Sequence, residues 1–160
     1  MTASSDPPTA DTFPVEGRLL GLDFGTKRIG VAISTPEQTI ASPLENYNRR
    51  TKPLDGEFLS KIANEYRVVG LVVGLPVHMS GDESEKSRQA RNFGKWLSHL
   101  TKLPVRYWDE RHTSLIAELY LHEADLSNKK RKARMDMVAA QIMLQNYLDS
   151  DDRTAAPQSL

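Results

Sequence analysis

The feature that most constrains the fold is the stretch VVGLVVGLP, residues 68–76, near the middle of the chain. It holds four valines and no charged side chain. Because successive residues of a strand point to opposite faces, an unbroken apolar run predicts a strand that is covered on both sides. Proline cannot donate a ladder hydrogen bond, so Pro76 ends the strand. The stretch therefore indicates an α/β protein whose sheet carries helices on both faces.

Three strands are predicted ahead of this central one. RLLGLDF (residues 18–24) and RIGVAIS (28–34) are apolar runs separated by GTK, which is typical of a hairpin, and TIASPLENY (39–47) adds a third strand. A helix follows at 53–67, where apolar side chains recur every four positions: Leu54, Phe58, Ile62 and Tyr66.

Helices and one more strand follow the central strand. The predicted elements are a helix at 82–100 that starts with the capping-box pair Asp82 and Glu85, a strand PVRYWDE at 104–110, a helix from Thr113 to about Glu123, and a last helix at about 133–148. This order predicts a mixed five-stranded sheet with helices on both faces. In such sheets the ligand crevice lies at the carboxyl ends of the parallel strands.

The composition restricts the chemistry. The absence of cysteine excludes disulfides, thiolate zinc sites and cysteine nucleophiles. The histidines are scattered and form no paired-ligand pattern: His78, His99, His112 and His122. A metal ion would therefore be held by oxygen ligands, which favours Mg²⁺ or Mn²⁺ over zinc.

The two ends differ in charge from the body. The chain carries 21 basic and 21 acidic side chains, but the segments outside 17–148 hold six acids and one arginine, which leaves 20 basic and 15 acidic side chains in the body. A mildly basic body is compatible with a polyanionic partner. The first residues lack the pattern of a secretory signal, and no run approaches the ~18 apolar residues of a membrane helix. We expect a disordered leader at 1–17, one domain at 18–148, a disordered acidic tail at 149–160 and a cytoplasmic location.

Carboxylates occupy positions where apolar side chains are expected. Asp23 lies near the end of the first strand, and Asp109 and Glu110 end the last one. Asp136 belongs to an apolar helix face, because the residues at +3, +4, +7, +8 and +11 from it are Ala139, Ala140, Met143, Leu144 and Tyr147. A carboxylate in such a place costs several kcal/mol unless it is paired, protonated or bound to metal.

Each acid also has an ordinary structural interpretation. Asp23 can bond backbone amides in a turn, Asp109 can pair with Arg111, and Asp136 can favour the dipole of a first helical turn. One explanation covers all of them, because acids that converge on a divalent cation have their desolvation offset by the ion.

A basic run, KKRKAR at residues 129–134, lies just before Asp136. Such runs are usually solvated loops, but beside a cluster of carboxylates this one would offset the repulsion between the acids and a phosphate backbone. NRRTK at 48–52 and Arg111 extend the same basic surface. We interpret Trp96 and Trp108 as core residues rather than as base-stacking platforms.

Four motifs, in this order and spacing, resemble the YqgF family, also called RuvX or Holliday-junction-resolvase-like proteins: GLDFGTKRIGVAIS, VVGLPVHMSG, DERHTS and RMDMVAAQIMLQNYL. The resemblance covers about residues 18–148. It implies a ribonuclease-H-like fold and a metal-dependent nuclease of structured nucleic acid, linked in this family to the 5′ end of the pre-16S ribosomal RNA. Many members carry Asn where this chain has His78.

The resemblance also implies a set of site residues. Its acidic cluster falls on Asp23, Glu110 and Asp136, which would hold Mg²⁺ or Mn²⁺, with Asp109 as a candidate fourth ligand. Our hypothesis is a two-metal hydrolysis in which Asp23 would bridge the ions, Glu110 and Asp136 would each complete one coordination sphere, and a water would attack in line. Basic residues would hold the nucleic-acid backbone, namely Lys27, Arg28, Arg111, Lys129, Lys130, Arg131, Lys132 and Arg134.

Three other functions stay open at this point. The same chemistry on branched DNA would make the chain a Holliday-junction resolvase. The opening motif is also similar to the first phosphate-binding hairpin of the actin and sugar-kinase superfamily, which allows ATP binding by a single lobe. A non-catalytic RNA-binding assembly factor would keep the fold without turnover.

Overall fold

The computed structural model describes residues 12–76, 85–109 and 128–154, with only the backbone described at 128–137. The elements in these ranges are numbered in chain order. They are β1 (Leu19–Phe24), β2 (Arg28–Ser34), β3 (Ala41–Asn48), α1 (Lys52–Glu65), β4 (Gly70–Leu75), α2 (Glu85–Thr101), β5 (Val105–Asp109) and α3 (Asn128–Asp149). The predicted helix at 113–123 and the capping residue Asp82 lie outside the described residues.

The five strands form one mixed sheet in the order β3-β2-β1-β4-β5. β1 pairs antiparallel with β2, and β2 antiparallel with β3, as the hairpin pattern predicts. β4 lies parallel to β1 on one side and parallel to β5 on the other. The predicted five-stranded mixed sheet is confirmed, and the carboxyl ends of β1, β4 and β5 share one edge.

Two hydrophobic clusters cover the two faces of the sheet. All six residues of β4 are buried, which confirms the expectation from its apolar run. On one face, Leu20 and Leu22 of β1 pack with Leu59 of α1 and with Phe93 and Leu97 of α2. On the other, Leu19 packs in a cluster that α3 supplies with Ala140, Met143, Leu144, Tyr147 and Leu148. We call these the α1–α2 face and the α3 face.

Helix α3 lies directly on β1, and a glycine makes this close approach possible. A Cβ atom added to Gly21 would lie 2.9 Å from Leu144 Cβ, a separation that a packed side chain cannot accommodate without moving. Gly21 therefore fixes the spacing between the sheet and the helix, because any larger residue would push α3 outward.

The last helix starts earlier than predicted. It begins at Asn128 rather than near Ala133, so the basic run at 129–134 is helical and not a loop. The physical reason is intrinsic propensity, since lysine, arginine and alanine are all good helix formers and the segment contains neither glycine nor proline.

The packed chain also extends beyond the predicted domain limits at 18 and 148. Phe13 is buried against the ring of Tyr147, with 6% of its surface exposed. Arg153 donates to the side-chain oxygen of Gln38 at 2.8 Å and to the backbone oxygen of Leu148 at 3.1 Å. Among the described helices, none is long and apolar enough to cross a membrane.

Candidate functional site

Asp23 lies at the edge of the sheet where the ligand crevice is predicted. It is the fifth of the six residues of β1, is half-buried, and shares its strand face with Leu19 and Gly21, which pack against α3. Its neighbour across the hairpin is Gly30, which has no side chain to shield it. The carboxylate therefore belongs to the α3 face at the carboxyl end of β1, which agrees with its predicted position near the strand end.

The same row across the sheet contains an amide that the sequence did not reveal. Gly30 of β2 pairs with Asn46 of β3, so Asp23, Gly30 and Asn46 lie side by side on three strands. Asn46 Oδ1 is buried. A bulge shifts the β2–β3 register between Val31 and Ala32, and such a shift cannot be located by counting residues in the sequence. The structure thus adds a candidate oxygen-bearing residue to the row of Asp23.

Strand alternation separates Asp109 from Asp23. In β5, Val105 and Tyr107 pack against the α1–α2 cluster, whereas Trp108 packs against the α3 cluster and its ring centroid lies 5.4 Å from that of Tyr147. Asp109 follows the parity of Val105 and Tyr107 and so belongs to the α1–α2 face. This placement gives no support to Asp109 as a fourth ligand. Glu110 lies outside the described residues.

Asp136 occupies a backbone position in α3, eight residues before Leu144, and its side chain is not described. The predicted apolar stripe is confirmed in the following turns, because each of its members is buried: Ala139, Ala140, Met143, Leu144 and Tyr147. Asp136 precedes Ala140 by four positions, so by helical periodicity it lies on the helix face that packs on the sheet. Leu144 contacts Gly21, and Asp136 is about 12 Å further along the helix axis at ~1.5 Å per residue.

The donor chemistry fits a hard divalent cation. Asp23 and Asn46 offer carboxylate and amide oxygens, which Mg²⁺ and Mn²⁺ prefer, and the chain has no cysteine to attract softer ions. Among the side chains that the structure describes, no group of three acids or histidines is close enough to hold a metal ion. A complete ligand set thus needs residues beyond those described.

Two of the predicted phosphate-binding residues lie near Asp23, Lys27 in the turn between β1 and β2 and Arg28 at the start of β2. Lys27 is exposed and Arg28 is half-buried. The turn is held by a hydrogen bond from the Gly25 amide to the Arg28 oxygen at 2.9 Å and by Arg49, whose amide donates to the Lys27 oxygen at 2.9 Å. Lys27 is therefore exposed at the carboxyl end of β1, on a turn that these hydrogen bonds hold in place.

The basic run lies on the first two turns of α3, and Arg111 is outside the described residues. The helical residues are Lys129, Lys130, Arg131, Lys132 and Arg134. Cations at a helix N-terminus are repelled by the positive end of the helix dipole. An anion at this end of α3 would relieve that repulsion.

Comparisons with known proteins agree with this geometry. The family model for RuvX, described as Holliday junction resolvase, matches residues 17–150. A protein of Rhodopirellula baltica named "Putative pre-16S rRNA nuclease" is 43% identical over 140 residues, which cover 88% of this chain and 81% of the relative. A protein of the same name from Rhodobacter capsulatus is 44% identical over 140 residues, with 88% of each chain covered.

Solved structures show the fold. RuvC of Thermus thermophilus in complex with a Holliday junction substrate matches with a TM-score of 0.54 and 16% identity, over 89% of this chain and 99% of that one. A second RuvC structure from Thermus thermophilus gives a TM-score of 0.51 at 15% identity, over 88% of this chain and 99% of that one. The sheet order and these neighbours establish a ribonuclease-H-like fold. With the family model matched over most of its length, the chain belongs to the RuvX family.

Proposed function

We propose that this chain is a metal-dependent nuclease that hydrolyses phosphodiester bonds of structured nucleic acid, and that it processes the 5′ end of pre-16S ribosomal RNA in the cytoplasm. The observation that carries the proposal is the position of Asp23, a half-buried carboxylate at the carboxyl end of β1 on the face covered by α3. The names of the relatives support the substrate, because they are described as nucleases of this precursor.

The catalytic residues proposed are Asp23, Glu110 and Asp136, which would hold Mg²⁺ or Mn²⁺. Strand alternation assigns Asp109 to the α1–α2 face, so Glu110, which the resemblance includes in the acidic cluster, is proposed as the partner of Asp23. When bound, the cations would supply an activated water and neutralise charge on the phosphate that is attacked. Asp23 is held in place for this task because β1 is paired on both sides, by β2 and by β4.

The basic residues are proposed to hold the nucleic-acid backbone. Lys27 on its fixed turn and the run on α3 would each neutralise phosphates, so binding should weaken steeply with salt. Replacing Lys130 with Gln should lower the slope of log K against log salt by about one. Lys61→Gln is the matched control, since Lys61 is exposed on α1 and pairs with Glu65. An unchanged slope in Lys130→Gln would show that the basic run does not bind the nucleic-acid backbone.

The test offers wild type and Asp23→Asn a pre-16S ribosomal RNA and a four-way DNA junction, each with Mg²⁺ and with Mn²⁺. We expect metal-dependent cleavage of the RNA precursor by wild type and none by Asp23→Asn, which keeps the fold and still binds. Cleavage by Asp23→Asn at the wild-type rate would refute the mechanism. Failure of wild type to cut either substrate would refute the nuclease.

A second candidate activity is resolution of four-way DNA junctions. The description of the matching family as Holliday junction resolvase favours it. The same experiment separates the two, because a resolvase cuts the DNA junction faster than the RNA precursor.

A further inference from the structure

An open cavity of about 510 Å³ lies on the α1–α2 face, on the other side of the sheet from Asp23. Its wall is aromatic, and two cations, two amides, Thr26, Ile29 and the carboxylate of Asp55 complete its lining. The lining residues that matter here are Phe24, Phe93, Trp96, Arg49, Lys52 and Asn92. Concave sites of this size, with a mostly aromatic wall and a few polar groups, are typical of ligand sites.

The aromatic side chains form a continuous wall. The rings of Phe24 and Phe93 stack with centroids 4.5 Å apart, and Trp96 follows at 6.0 Å from Phe93. Trp96 is half-buried, so part of its indole remains accessible from the cavity. The sequence predicted a core role for Trp96, whereas the structure places it at the border between core and cavity. Flat aromatic surfaces of this kind stack on nucleobases.

The cations stand directly above these rings. The guanidinium carbon of Arg49 is 4.5 Å from the centroid of Phe24, and Lys52 Nζ is 5.3 Å from the centroid of Trp96. Arg49 covers Phe24, whereas Lys52 is exposed and can move aside, so a base that stacks on Trp96 would have Lys52 beside it. This pairing of an aromatic surface with cations matches a base and its phosphate.

Arg49 is fixed before any ligand binds. Its Nη1 donates to the backbone oxygens of Gly25 and Thr26, each at 3.0 Å, and its Nε lies 3.9 Å from Asp55 Oδ2. Asp55 is buried and accepts hydrogen bonds at Oδ1 from the Tyr47 hydroxyl at 2.7 Å and from the Arg50 amide at 2.8 Å. A cation held this way loses little freedom on binding a phosphate.

We propose that this cavity binds one nucleotide of a single-stranded segment of the nucleic-acid substrate. Its base would stack on the wall at Trp96, its phosphate would contact Arg49 and Lys52, and Asn92 would hydrogen-bond to the base edge. This inference rests on the proposed nuclease function.

The position of the cavity places this nucleotide near the bond that is cut. Phe24 follows Asp23 directly in β1, and successive strand residues belong to opposite faces. The turn with exposed Lys27 at its tip separates the two sites at the same edge of the sheet. The nucleotide in the cavity therefore flanks the bond that is cut, and the strand between them passes over Lys27.

The test measures binding of single-stranded oligoribonucleotides from the 5′ region of the precursor. The full-length Asp23→Asn chain is used so that no cleavage interferes. A series of oligonucleotides carries one abasic residue, moved along the strand. We expect one position at which loss of the base weakens binding about tenfold, in line with the stacking of one base on an aromatic ring.

Variants then locate the effect. In the same background Trp96→Leu should weaken binding of the intact strand about tenfold and abolish the abasic effect, while Trp96→Phe should retain most of both. Tyr66→Leu is the matched control, because Tyr66 is an exposed aromatic residue outside the cavity. Lys52→Gln should also weaken binding, which keeps the test decisive if thermal denaturation shows that Trp96→Leu does not fold.

The outcomes are distinct. Equal binding by Trp96→Leu and its parent, or an abasic effect that survives in Trp96→Leu, would overturn the proposal. The proposal would also be overturned if a free nucleoside monophosphate bound through Trp96 as tightly as the strand does. The cavity would then be the binding site of an effector. Absence of cleavage by the wild-type chain would refute the proposed function alone, because these binding measurements do not depend on it.

Discussion

The two faces of the sheet differ in how they use neighbouring residues. Asp23 and Phe24 are adjacent in β1, yet one belongs to the α3 face and the other lines the cavity on the α1–α2 face. On the α3 face, Asp23 and Asn46 lie on either side of Gly30, which has no side chain. They form a polar row in an otherwise apolar layer. On the α1–α2 face, aromatic rings carry cations above them. One strand end thus presents a carboxylate and an aromatic ring on opposite faces, a single residue apart.

The largest effect on cleavage should come from replacing Asp23, the acid on the α3 face, in comparison with Asp109 on the other face. Asp23→Asn should lower the cleavage rate by more than ~100-fold, since even an outer partner of a metal ligand contributes 10- to 100-fold. Asp109→Asn makes the same change on the α1–α2 face and should leave the rate within a few-fold of wild type. Single-turnover cleavage at saturating Mg²⁺ measures both. Equal losses would show that the assignment of faces is wrong.

The packing between β1 and α3 gives the next effect. Gly21→Ala should lower the free energy of unfolding by ~1–3 kcal/mol, because its Cβ would overlap Leu144 and overpacking carries a penalty of this size. Denaturant unfolding measures the change. In a Leu144→Gly background, which also removes the Cβ that lies 2.9 Å away, the same substitution should cost less, and a penalty that stays constant would mean that Leu144 is not the obstacle.

The buried carboxylate on the α1–α2 face should have a smaller effect. In Asp55→Asn the amide oxygen can replace Oδ1, which accepts both hydrogen bonds, so mainly the attraction to Arg49 is lost. Because Arg49 is one-third exposed, we expect a loss of only ~1 kcal/mol in the free energy of unfolding. Glu57→Gln, an exposed acid on the same helix, is the control. A loss several times larger would mean that the pair supports the whole face.

The smallest effect concerns Tyr47 at high pH. Burial, followed by its hydrogen bond to Asp55, raises the pKa of the Tyr47 phenol. The neutral phenol is therefore favoured in the folded chain, so its contribution to stability is complete below about pH 10 and is lost as the pH rises through the folded pKa. Urea unfolding between pH 8 and pH 11 should show a shallower decline for Tyr47→Phe than for wild type. Identical slopes would contradict this linkage.

The sequence predicted the sheet well because its strands are marked by strong apolar patterns. The apolar runs in β1 and β2 and the unbroken run in β4 each have one physical interpretation, and helix amphipathicity located the buried stripe of α3. Asp23 and Asp136 could be selected because a charge inside an apolar pattern is anomalous.

Other features left no such mark in the sequence. Asn46 joins the row of Asp23 only through the shifted register of β3, and Trp96 resembles any core aromatic until the cavity beside it is known. The early start of α3 was missed because a dense run of cations suggests a solvated loop, whereas the helix propensity of each lysine and arginine is high. Long-range register and competing local preferences thus limit such predictions.

The anchoring of Gln38 has a consequence for handling the protein. Its side-chain amide donates to the Pro14 and Gly17 oxygens, while its own oxygen accepts from Arg153, so one loop between β2 and β3 fastens both ends of the described chain. This loop lies at the amino end of β1, because Ala41 pairs with Ser34 and the Ser34 hydroxyl accepts from the Leu19 amide. Both ends of the described chain are therefore held opposite the edge that carries Asp23, and a tag or surface tether would act on the fold there. Immobilised molecules would leave that edge exposed to the solution, which suits single-molecule measurements of nucleic-acid binding.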